Sequence, residues 1–198
     1  MDFRDPALVH LGLHASATGG ERNDHFVEFY DSDRSVVDSA RTFISMGLSE
    51  GESALVVASS GHRKAIEREL EATVDLARAR SKGLYSSFDA KETLALFMRE
   101  GRPDPVQFER VVEKLLARAM EGGRKVRVFG EMVAILWGQG NVAAAIELEE
   151  LWNRVLQASP FRLFCAYPMD VFEDGDPDSI GALFHTHSQV VVPRSEPV

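Results

Sequence analysis

The stretch His25-Phe26-Val27-Glu28-Phe29-Tyr30-Asp31-Ser32-Asp33 decides the fold. Its first six residues read as a strand. Residues 34–46 carry a helical pattern, and Ser53-Ala54-Leu55-Val56-Val57-Ala58 reads as the next strand. This is the opening βαβ unit of a nucleotide-binding type of α/β fold. A phosphate-gripping version needs glycines and a lysine in the first turn, so that backbone N–H groups close on the anion. The turn here has neither, and its two acids would repel a phosphate. The scaffold therefore reads as one turned to reception rather than catalysis.

Working outward, the chain continues to alternate strand and helix. In the first helix Val36, Val37, Ala40, Phe43 and Ile44 share one face, with Asp33 expected as N-cap and Gly47 as the C-terminal stop. Ser60 is expected to cap a second helix that ends near Ala72. Leu84 to Phe88 reads as a third strand, and Asp89 starts a helix carrying Leu94, Phe97 and Met98, stopped by Gly101-Arg102-Pro103. Asp104 at N-cap and Pro105 at N1 open the clearest helix, striped by Phe108, Val111, Val112, Leu115, Leu116 and Ala119. Val126 to Phe129 and Phe161 to Tyr167 read as further strands, with a long helix over 142–157 between them. Strands separated by helices of this length predict a three-layer α/β fold. It has a mainly parallel sheet of about five or more strands and helices on both faces. Residues 1–24 lack periodicity and read as a loose arm, and 25–198 as one domain.

Composition bounds the function. The chain has 198 residues, 44% hydrophobic and 27% charged, with a formal net charge of -9. An acidic chain argues against direct nucleic-acid binding and against an anionic membrane surface. The single cysteine excludes an internal disulfide and fits a reducing, cytoplasmic setting. No apolar run approaches a membrane span, and the N-terminus lacks a secretion pattern.

In parallel sheets ligands bind beyond the carboxyl ends of the strands. Tyr30-Asp31, Ser59-Ser60, Gly130-Glu131-Met132 and Tyr167-Pro168 converge there. Glu131 occupies the place where nucleotide hydrolases keep a metal-binding or water-activating acid, and equally suits a carboxylate at a helix start. Glu149 lies within the apolar stripe of its helix, so it must be paired, hydrogen-bonded or protonated. An ion pair with Arg127 or Arg162 is the structural reading, and a polar anchor in an apolar pocket the functional one. Trp137 lies in the stretch Leu136-Trp137-Gly138-Gln139-Gly140, whose glycines would let the backbone bend around a ligand, and is the preferred aromatic contact. The candidate ligand-binding set is Tyr30, Asp31, Glu131, Trp137, Glu149 and Tyr167. No catalytic residue and no cofactor is expected. His25, Cys165, His185 and His187 are the one grouping that hints at a metal. No ligand motif supports them, and a helix from Asp178 would make His187 a packing residue, so no metal site is assigned.

Taken in order, His25 to Tyr30, the Gly47-Leu48-Ser49-Glu50-Gly51-Glu52 turn, Gly130-Glu131-Met132-Val133, Leu136-Trp137, Asn141, Leu148 to Asn153 and Cys165-Ala166-Tyr167-Pro168 resemble the MEDS domain, the methanogen/methylotroph DcmR sensory domain. The resemblance runs from His25 to Pro168 and extends toward Ser188. It implies a degenerate RecA-like fold without the phosphate loop. It also implies a prokaryotic, cytoplasmic sensory role directed at hydrocarbon derivatives or related small molecules. Family members are often fused to a DNA-binding domain or a histidine kinase. This sequence has no room for such an output domain, so output is expected through another chain, such as a histidine kinase or transcription regulator, or through the arm.

The leading expectation is thus a non-catalytic sensory domain that binds a small apolar or amphipathic ligand and acts through a protein partner, with a homodimer also expected. The alternatives are a protein–protein scaffold that binds nothing small, and an unconventional nucleotide-binding protein using Arg34, Arg63, Lys64 or Arg127.

Overall fold

A computed structural model describes residues 24–159, 161–171 and 176–191. Nearly all of the N-terminal arm predicted for 1–24 lies outside them; its last residue, Asp24, is the first of a strand.

Six strands form one parallel sheet: β1 (Asp24–Tyr30), β2 (Ser53–Ala58), β3 (Tyr85–Asp89), β6 (Val126–Gly130), β7 (Arg162–Pro168) and β8 (Gln189–Val191), in the order β3-β2-β6-β7-β1-β8. β4 (Met98–Arg99) and β5 (Arg102–Pro103) make a separate antiparallel pair. Alternation along each strand divides the core in two. Phe26, Ala54, Val56, Phe129 and Phe164 face α1 (Asp33–Ser49), α2 (Ser60–Glu71) and α3 (Leu76–Ser81). Val27, Phe29, Leu55, Val57, Val128, Leu163, Cys165 and Tyr167 face α4 (Ala90–Phe97), α5 (Pro105–Ala119), α6 (Met132–Gly138), α7 (Val142–Ala158) and α8 (Pro177–His185). The three layers and the parallel sheet agree with the sequence reading.

Several local expectations are corrected. Ser32, not Asp33, caps α1, its hydroxyl accepting from Ser35 N–H, and Ser59, not Ser60, caps α2. Gly47 does not stop α1, which runs to Ser49; Gly51 takes the left-handed turn beyond it, at φ 80°. Gly47 is instead a close-approach position, because a Cβ there would stand 2.6 Å from Cδ of Arg127. Arg127 is fully buried, donating from Nε to Glu52 at 2.5 Å, from Nη2 to Glu50 at 2.8 Å and from Nη1 to Phe43 O at 3.2 Å. Met98 leaves α4 for β4, because Glu100 and Gly101 both take positive φ and turn the chain into a hairpin. Asp176, rather than Asp178, caps α8, with Pro177 at the first helical position.

Candidate functional site

The predicted site residues fall into two groups on opposite faces of the sheet. Tyr30, Asp31 and Glu131 are at the strand ends. Trp137, Glu149 and Tyr167 meet in the core beneath α6 and α7.

At the strand ends, Glu131 follows β6 directly and is only 4% exposed. Its Oε2 accepts the Ser59 N–H at 2.8 Å, and its Oε1 is bonded to His62 Nδ1. The other ring nitrogen of His62 lies 3.2 Å from Asp33 Oδ1, and the Tyr30 ring packs edge-on to the imidazole. With a carboxylate on each nitrogen, both are donors, so the ring is an imidazolium. Its pKa is raised to about 9, chiefly by the Glu131 hydrogen bond; burial opposes this and Asp33 adds to it. Burial, together with Glu131, Asp33 and Asp170, pushes the Tyr30 hydroxyl up as well. Asp31 stays apart from the cluster, exposed and bonded to Ser35 Oγ at 3.2 Å.

A cleft of about 560 Å³ runs from this cluster between α1 and α2, lined by Asp33, Val37, Asp38, His62, Ala65 and Arg68 among others. The volume lies within the range of small-molecule sites. Arg127, considered above for phosphate, is held by Glu50 and Glu52 and takes no part.

In the core, Glu149 is 0% exposed. It pairs with neither expected arginine: Arg127 is engaged as described, and Arg162 lies 3.8 Å from Asp24. Tyr167 donates its hydroxyl to Glu149 Oε1 at 2.9 Å, while His25 Nε2 is 3.3 Å from Oε2 and His187 Nε2 3.4 Å from Oε1. Burial alone would raise the Glu149 pKa, but His187 and His25 outweigh it and hold the carboxyl below its ordinary range. Burial and the Glu149 charge push the Cys165 thiol and the Tyr167 hydroxyl well up. Trp137, in α6 rather than a flexible glycine stretch, is 4% exposed and sits edge-on to Tyr167 at 5.9 Å. His185 is exposed and separate from this group.

Sequence reasoning missed His62, Asp33 and Asn153. A histidine in the first turn after a buried strand was the available signal for His62. Asp33 reads in the sequence as a cap and as one of two phosphate-repelling acids, not as a partner of His62.

The family model described as the methanogen/methylotroph, DcmR sensory domain matches residues 24–188. No curated protein matches the chain. Among the described residues, no helix is long and apolar enough to cross a membrane.

Proposed function

The chain belongs to the MEDS family of sensory domains, and on that premise we propose that it is a cytoplasmic receiving module that binds a small amphipathic molecule at its strand ends without turning it over. The observation that carries this reading is the Glu131–His62–Asp33 cluster at the mouth of the cleft between α1 and α2. The three acids Asp31, Asp33 and Glu131 occupy the region where a phosphate-binding site would present N–H groups and a lysine. A ligand with a hydroxyl, amine or amide head can exchange hydrogen bonds with Asp33 and His62, and its apolar portion can lie along Val37 and Ala65. An imidazole doubly bonded to carboxylates has no free lone pair to act as a general base, which favours reception over chemistry. Occupancy of the cleft would bias the α1–α2 packing and so a contact with a signalling partner, such as a histidine kinase or transcription regulator, or with a second copy of the chain.

The test is a thermal-shift screen of small alcohols, amines, amides and halogenated hydrocarbons. A ligand of this site raises the melting temperature of the wild type and loses that effect in His62→Gln and Glu131→Gln. A hit that survives both substitutions places binding elsewhere. A second reading, a scaffold that senses nothing small, is favoured by an apolar groove of about 520 Å³ between α5 and α7, lined by Val112, Leu116, Met120 and Val155. A screen without hits, together with a stable complex through that groove, selects it.

A further inference from the structure

On the opposite face of the sheet, four side chains from separate elements bring metal-ligating atoms together. They are His25 of β1, Glu149 of α7, Cys165 of β7 and His187 just after α8, and their atoms all lie within 4.8 Å of one another. All four side chains are buried.

The tautomers of both imidazoles are fixed from behind. Asn153 donates its amide to Thr186 O at 2.7 Å, so its Oδ1 is an acceptor, and His25 Nδ1 donates to it at 2.9 Å. His187 Nδ1 donates to the Leu183 carbonyl at 2.8 Å. With Nδ1 so engaged, each ring turns its Nε2 to the Glu149 carboxylate, 3.3 and 3.4 Å away, and a neutral ring would aim a lone pair at it. His187 Nε2 is buried and has no hydrogen-bond partner among the described residues. Two imidazoles whose centroids are 4.1 Å apart repel each other if both are protonated. Protonating only one leaves a lone pair facing a carboxylate. A cation among them removes the conflict.

We propose that His25, Glu149, Cys165 and His187 form a buried tetrahedral site for a divalent transition metal of the zinc type. Zinc bound at about 2.0 Å to nitrogen and oxygen and about 2.3 Å to sulfur spaces its ligands about 3.3 Å apart, or about 3.5 Å when one is sulfur. The structure has 3.3 Å from His25 Nε2 to Glu149 Oε2, 3.4 Å from His25 Nε2 to Cys165 Sγ and 3.7 Å from Cys165 Sγ to Glu149 Oε2. Two imidazoles and a thiolate select against magnesium and calcium, which take oxygen ligands. Once the thiol has released its proton, one thiolate and one carboxylate neutralise the dication. The partners behind the ligands are also in place: Asn153 on His25, the Leu183 carbonyl on His187, and the Tyr167 hydroxyl on Glu149. Four protein ligands leave no open position, so the site is structural. It fastens the segment after α8 to β1, where Ser188 already bonds the His25 backbone in both directions.

The experiment strips the full chain with chelator and titrates it with cobalt(II), followed by zinc. The expected result is one equivalent bound per chain, intense tetrahedral bands in the visible, a thiolate-to-cobalt charge-transfer band in the near ultraviolet, and loss of both on adding zinc. Because Cys165 is the sole cysteine, that band reports this site in the wild type alone, whether or not the variants fold. Cys165→Ala removes the band, and His25→Gln or His187→Gln weakens binding more than tenfold, while His185→Gln leaves it unchanged. Absence of the charge-transfer band, a weak octahedral spectrum typical of an adventitious ion only, or binding that survives Cys165→Ala in a folded protein each overturns the proposal.

Discussion

Raising the pH from 6 to 9.5 removes the proton that holds the strand-end cluster together, and the cost can be worked from the structure. His62 has a folded pKa of about 9 against an ordinary value of 6.5. The folded state binds this proton more tightly than the unfolded one. The contribution is therefore complete below pH 6.5, declines as pH rises, and is lost beyond pH 9. The difference corresponds to about 3 kcal/mol. The His62 side chain is 14% exposed, so solvent screening removes only part of it. The assay is urea unfolding of wild type and His62→Gln at both pH values. Glutamine can still donate to Glu131 but does not titrate, and groups common to both proteins cancel. After that screening the wild type should lose about 1–3 kcal/mol more than the variant, a midpoint difference of about 0.5–1.5 M urea for a slope of about 2 kcal/mol/M. Parallel losses in the two proteins would refute the account of an imidazolium shared by Glu131 and Asp33.

Three further outcomes follow from the packing. Glu28 is buried, and burial raises its carboxyl pKa to about 7 despite the Ser39 hydroxyl bonded to it; its Oε2 has no hydrogen-bond partner among the described residues. Ionising it costs stability as pH rises from 4.5 through 7, so Glu28→Gln should stabilise the protein at pH 8 by about 1–3 kcal/mol in the same urea assay and change little at pH 4. Gly47→Ala, favourable in an ordinary helix by about 1 kcal/mol, should instead destabilise by about 1–3 kcal/mol, because Arg127 occupies the space of the new methyl; thermal unfolding checks the sign. Trp137→Ala should cost about 3–5 kcal/mol, as a core side chain against Tyr167, without abolishing a thermal shift produced at the α1–α2 cleft.

The elements legible in the sequence were those with strong periodicity and clear ends. The stripe of α1 is buried as read, and Asp104 caps α5 with Pro105 at its first position. The seven-residue α6 and six-residue α3 are too short for a period to stand out, and β8 is a three-residue edge strand. Glu149 was identifiable as a buried carboxylate from its place in the α7 stripe. Its partners were not, because His25, Cys165 and His187 are brought to it by strand order and by the return of the chain after α8. The fixed lone pairs of those histidines depend on Asn153 and a backbone carbonyl, which leave no sequence signature. The same limit hid His62, whose role rests on β2 and β6 lying side by side.

The most direct test of the strand-end account is an amide-resolved NMR titration of the full chain with magnesium ATP. The account predicts that the Tyr30 to Ser35 amides stay unshifted, since the bend presents Asp31 and Asp33 instead of phosphate-gripping groups. Saturable shifts confined to that bend and to the neighbourhood of Glu131 would contradict it.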